Sequence, residues 1–213
     1  MIINTNNNFV HIAIPRTATT CLNVALGNLT HPEPAEHHCS LGEVLKQHPN
    51  TKAFYKFTFV RNPFDKLVST YFEFRKNRKT KYSGKISYEK ELLSEFDLSN
   101  SDTENFRNFC RNFGDTKWRD DLFFKSQFDF INVKGQNVMD YIGLFENLDE
   151  GWKKIRKEIN LESIDLQKSV PQEPRGFIRG SYHPPYQELY TETEKKIVQK
   201  IYKKDLEYFN YSF

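Results

Sequence analysis

The chain has 213 residues, 38% apolar and 28% charged, and its 31 basic against 28 acidic residues leave a net charge of +3. Aromatic residues make up 15%, enough to bury a sizeable core, so wholesale disorder is excluded and a single domain spanning 1–213 is expected. So small a charge excess does not announce a nucleic-acid binder, and no nucleic-acid partner is expected.

The opening MIINTNNNFVHIAI has no basic leader region. Its apolar run falls far short of the roughly 20 residues a membrane span needs, so no membrane association is expected. Cys21, Cys39 and Cys110 are an odd set without CxxC spacing. That pattern argues against a disulfide framework and a zinc site, and for a reducing cytoplasmic location with no metal.

Residues 8–14 (NFVHIAI) read as a short buried strand running into Pro15 and a threonine-rich turn, then a helix carrying Leu22, Val24, Ala25 and Leu26. Two prolines make His31–Glu36 a loop. Residues 41–47 suit a short helix, and 54–60 (FYKFTFV) a second strand rich in aromatic and β-branched residues. Asn62 is a good N-cap and Pro63 a good first-turn residue for the next helix. Phe64, Leu67, Val68, Tyr71 and Phe72 line its apolar stripe.

The region 77–135 reads as mainly helical. Residues 138–145 suit a third strand and 148–159 a helix. Thr191 and Glu194 open the last helix in capping-box spacing, with Ile197, Val198, Ile201, Tyr202, Leu206 and Phe209 on one face. Alternating strands and helices indicate an α/β fold around a central, mainly parallel sheet flanked by helices.

Two strand–turn–helix units carry the chemistry. In the first, HIAI is followed by Pro15, Arg16, Thr17, Ala18, Thr19 and Thr20. Main-chain amides at the start of a helix lack acceptors, and the helix dipole favours an anion there; Arg16 adds a cation and the threonines hydroxyl donors. The glycines and lysine of a nucleoside-triphosphatase loop, GxxxxGK[ST], are missing, which argues against a kinase or ATPase. In the second unit, FTFV leads into Arg61, Asn62 and Pro63, with Ser69 two turns into the helix and off its apolar stripe. A guanidinium and a hydroxyl so spaced can share one phosphate.

HIAIPRTATTCL at 11–22 and FTFVRNPFDKLVSTY at 57–71 resemble the phosphate-binding segments of the cytosolic and Golgi sulfotransferases. They are most similar to those of the carbohydrate group that includes the heparan and chondroitin enzymes. The resemblance continues through IGLFENLDE at 142–150 and the segment 190–213. It implies a P-loop-NTPase-like sulfotransferase fold. It also implies 3′-phosphoadenosine 5′-phosphosulfate as sulfuryl donor, leaving adenosine 3′,5′-bisphosphate, and no metal.

Carried over by position, Pro15, Arg16, Thr17, Ala18, Thr19 and Thr20 would hold the 5′-phosphosulfate, and Arg61 with Ser69 the 3′-phosphate. Arg179 and Ser181, in a Pro/Gly-rich loop with Arg175 and Tyr182, would close over the nucleotide. The chain departs from the family in having Arg16 where lysine is usual and no glycine at Ala18 or Thr19. An arginine can stabilise charge but does not donate its proton.

The acceptor hydroxyl needs a base near neutral pKa. By position His38 is the candidate and His37 the fallback, the alternative being a solvated histidine pair. The run from Arg75 to Lys85 holds six cations and no acid; it is either a solvated loop or a landing strip for an anionic glycan. Trp118 and Trp152 read as core residues, and Lys153, Lys154, Arg156 and Lys157 as a wet helix face. The resulting expectation is sulfuryl transfer to a hydroxyl-bearing acceptor, an anionic carbohydrate. Its rivals are tyrosine or small-alcohol transfer, and a non-catalytic nucleotide- or glycan-binding module.

Overall fold

The computed structural model describes residues 1–27, 38–79, 100–114, 121–166 and 183–213, with the side chains of 74–79 outside that description. The chain divides into two compact units, residues 1–61 with 126–180 and residues 62–125 with 181–213.

The first unit is built on a sheet. Strand β2 (Phe9–His11) pairs parallel with β3 (Tyr55–Val60), which pairs parallel with a later strand, Tyr141–Leu144. β3 lies between these two, and its residues from Lys56 to Val60 are all buried, as expected of a strand covered on both faces. β1 (Ile2–Asn4), which the sequence reading did not anticipate, adds antiparallel to β2. The turn that joins them is made by Asn4, whose Oδ1 accepts the N–H groups of Asn6 (2.9 Å) and Asn7 (2.8 Å). This is the side-chain turn chemistry for which asparagine is favoured.

Helix α1 (Thr19–Gly27) follows β2, and α2 (Leu41–Gln47) opens on a reciprocal cap between Ser40 and Glu43. A short helix, Gln127–Ile131, then leads into the hairpin of β4 (Asn132–Val133) and β5 (Gln136–Asn137), before β6 (Tyr141–Leu144). β4 departs from the helical expectation for 77–135, whereas β6 lies within the strand expected at 138–145. Leu22, Ala25 and Leu26 of α1 pack with Phe9, Phe57 and Phe59 of the sheet and with Trp152 and Ile155 of the helix Leu148–Glu158. Trp152 is a core residue as expected, its indole donating to the Ile164 carbonyl at 3.0 Å. Lys153, Lys154 and Lys157 are exposed.

The second unit is helical. Helix α3 (Pro63–Lys79) starts where Asn62 Oδ1 accepts the Phe64 N–H at 3.1 Å. Phe64, Leu67, Val68 and Tyr71 are buried as the stripe requires. They pack with Phe106, Phe109 and Phe113 of α4 (Asp102–Phe113), and with Tyr190, Val198 and Tyr202. Several of these rings meet edge-on, Phe106 and Tyr190 at 5.1 Å and 90°, the geometry that aligns ring edge with ring face.

In order along the whole chain, Gln127–Ile131 is α5, Leu148–Glu158 α6, Tyr186–Leu189 α7, Glu192–Ile201 α8 and Lys203–Tyr208 α9. The capping box at Thr191 and Glu194 forms. The last helix is not continuous, however. It breaks at Tyr202, whose backbone leaves the helical region (φ −101°, ψ 26°) while its hydroxyl donates to the Phe124 carbonyl at 2.6 Å. His31–Glu36, His37, Trp118, Arg175, Arg179, Ser181 and Tyr182 lie outside the described residues, as do the side chains of the basic run at 75–79 and all of 80–85.

Candidate active site

The parallel strands β2, β3 and β6 all run out at one edge of the sheet, where open α/β sheets bind ligands. β3 ends at Val60, paired with Leu144. One residue further, Arg61 lies beside Phe145, and its guanidinium carbon sits 4.2 Å from the centre of that ring. On its other side Arg61 Nη1 donates to the main-chain carbonyl of Arg16 at 3.2 Å. The structure thus brings Arg16 and Arg61 together at the ends of adjacent strands. Arg61 is buried, while Arg16 is partly exposed.

The turn between β2 and α1 is strained. Arg16 (φ 67°) and Ala18 (φ 64°) both occupy the left-handed region, and Thr17 between them does not. An L-residue there costs about 1–2 kcal/mol, the kind of strain that concentrates at functional sites. Alternating hand along the main chain curls successive N–H groups toward one side, forming an anion-binding hollow. The first intrahelical bond of α1 runs from Leu22 N–H to Ala18 O, so the amides ahead of it have no acceptor in the helix.

The threonine hydroxyls need a correction. Thr17 and Thr19 are both buried, and both donate their hydroxyl protons to the Ile14 carbonyl, at 2.9 and 2.6 Å. They therefore brace the turn, and what they can offer an anion is main-chain N–H. Thr20 is exposed, and Pro15 is buried without an N–H to give. Main-chain amides, the guanidinium groups of Arg16 and Arg61 and the start of a helix are a donor set suited to a phosphate-like anion, so these residues fit the expected donor.

His38 sits against the strand leading into this turn. Its Nδ1 lies 2.6 Å from the Ala13 carbonyl. A carbonyl can only accept, so Nδ1 carries a proton, and Nε2 is the ring nitrogen left to exchange one with an acceptor. Nearby His11 is buried, stacked on Phe57 at 5.0 Å, and its Nδ1 has no hydrogen-bond partner among the described residues. Burial, with nearby positive charge adding, pushes His11 down to about 3, so it is neutral at ordinary pH. Among the described residues no group of three or more His, Cys, Asp or Glu side chains gathers as a metal would need. Cys21, Cys39 and Cys110 are thiols not joined in a disulfide.

Ser69 belongs to the second unit, on α3, and is buried although it lies off the apolar stripe. Sequence reasoning missed two residues around Arg61. Phe145 carried a faint signal, because it is the last residue of the third expected strand, 138–145. Gln127 carried none. Its amide Oε1 accepts the Arg61 N–H at 2.9 Å and its Nε2 donates to the Arg61 carbonyl at 2.7 Å, across 66 positions of chain.

A mainly parallel sheet with a strained turn and a clamped arginine at the ends of adjacent strands defines an α/β protein whose donors suit an anion. The chain matches the Sulfotransferase family over residues 1–212 and belongs to it. It is therefore a transferase of sulfuryl groups, and its acceptor bears a hydroxyl. No curated protein and no solved structure matches it. No helix among the described residues is long and apolar enough to cross a membrane.

Proposed function

We propose that this protein, acting as one sulfotransferase domain in the cytoplasm, moves the sulfuryl group of 3′-phosphoadenosine 5′-phosphosulfate to a carbohydrate hydroxyl. The observation that carries the reading is the pairing of Arg61 with the turn at Arg16, two anion-holding elements side by side at the ends of adjacent strands.

The amides of Arg16 to Thr20 hold the 5′-phosphosulfate, and Arg61 with Ser69 holds the 3′-phosphate; the assignment of Ser69 rests on the family resemblance. Arg179 and Ser181 close over the nucleotide on the same ground. When bound, the donor supplies one in-line transfer, in which its sulfur–oxygen bond to phosphate breaks as a bond to the acceptor oxygen forms. His38 takes the acceptor's proton at Nε2, oriented by the bond from Nδ1 to Ala13; His37 is the fallback base. Arg16 and the α1 amides stabilise charge developing on the departing phosphate oxygen without moving a proton.

The test is thermal stabilisation by adenosine 3′,5′-bisphosphate, followed by sulfuryl transfer across a panel of glycans, phenols and peptides. Wild type is stabilised, Arg61→Ala is not, and glycans are sulfated. No shift with wild type would refute the donor site. A shift with no transfer to any acceptor would leave a nucleotide-binding module, and transfer to phenols or peptides alone would move the acceptor class.

A further inference from the structure

Arg61 stands one residue beyond the last paired position of β3, where the ladder to β6 has ended. An arginine there would ordinarily have a loose main chain, and a guanidinium on a loose main chain is a poor phosphate clamp. Gln127 removes that freedom. Its side-chain amide is fully buried, and its two ends bond the N–H and the C=O of Arg61, as the main chain of a neighbouring strand would. With the main chain so held, the guanidinium reaches the Phe145 ring and the Arg16 carbonyl. Gln127 is the first residue of α5, and α5 packs on α2, the helix that begins three residues after His38. One short element therefore backs both the arginine and the segment that carries the proposed base.

We infer that Gln127 is a positioning residue for the nucleotide site: by completing the sheet ladder at Arg61 it aims the guanidinium at a 3′-phosphate, and so sets the preference for a 3′-phosphorylated nucleotide. The inference rests on the proposed function and deepens it. Gln127 touches no substrate; it acts through Arg61.

The readout is the ratio of dissociation constants for adenosine 5′-phosphate and adenosine 3′,5′-bisphosphate, measured by calorimetry on the full chain. Gln127→Met keeps the side chain's length and removes both bonds. It lowers the ratio about tenfold or more, the worth of one well-aimed charge-assisted contact, and leaves the affinity for adenosine 5′-phosphate nearly unchanged. In an Arg61→Ala background the same substitution changes the ratio no further. If Gln127→Met does not fold, Gln127→Glu carries the measurement. It loses the donor to the Arg61 carbonyl at neutral pH and recovers a donor, and with it the ratio relative to wild type, as the carboxyl is protonated. An unchanged ratio, or equal weakening of both nucleotides, overturns the inference. A wild-type protein with no preference for the bisphosphate is a different failure, that of the 3′-phosphate site itself.

Discussion

His11 makes stability depend on acid in a way that can be calculated. The unfolded chain protonates this histidine near 6.5, whereas the folded protein resists until about 3 because the charged ring would be buried on β2. Below 6.5 the unfolded state binds the extra proton, so the contribution of neutral His11 is complete above that value and is lost as pH falls. The slope is about 1.4 kcal/mol per pH unit, giving about 3 kcal/mol by pH 4.5 and approaching about 5 kcal/mol near pH 3 as an upper bound. His11→Phe keeps a ring against Phe57 and removes the proton site. Urea unfolding at pH 7.5 and pH 4.5, followed by tryptophan fluorescence, gives the loss for each protein. Wild type should lose about 3 kcal/mol more than the variant over this range. Parallel losses would mean that His11 does not stay neutral in the folded state. Carboxylates elsewhere cancel in the comparison.

His38→Ala should lower sulfuryl transfer by about 10²–10⁴-fold while leaving bisphosphate affinity intact; a fully active variant would pass the role of base to His37. Gly143→Ala should cost about 1–3 kcal/mol by overpacking, because a Cβ at Gly143 would fall 2.4 Å from Phe59 Cε1. Adding Phe59→Leu should recover part of that loss in urea titrations, and an unaltered midpoint for Gly143→Ala alone would contradict the packing. In the second unit, burial raises the Glu194 carboxyl but its bonds to Thr191 and Arg111 outweigh that and hold it below its usual value of 4.5. Glu194→Gln should therefore cost about 1 kcal/mol at neutral pH. The gap to wild type should close as acid titrates the folded carboxyl; a gap independent of pH would show that the charge contributes nothing.

Local features of the sequence were sufficient wherever a single element decides its own form. The stripe from Phe64 to Tyr71, the cap at Asn62, the Thr191–Glu194 box and the buried run of β3 depend on neighbours a few residues apart, and they form as read. The turn at Arg16 was legible for the same reason, since strand, turn and helix start are contiguous. Where the reading fell short, a partner lay far along the chain. β1 is only three residues long and is held by β2 through an asparagine turn. The last helix breaks at Tyr202, whose hydroxyl bonds Phe124.

The site divides along the same line. Residue type and local context marked Arg16 and Arg61 as groups able to hold an anion, and the family resemblance marked His38 as one able to take a proton. Tertiary structure decided how each is held: Arg61 by Gln127, Phe145 and the Arg16 carbonyl, and His38 by Ala13. It also turned the hydroxyls of Thr17 and Thr19 inward to Ile14. Charge and donor capacity belong to a residue wherever it stands, whereas the direction of a hydrogen bond exists only once folding supplies the other atom.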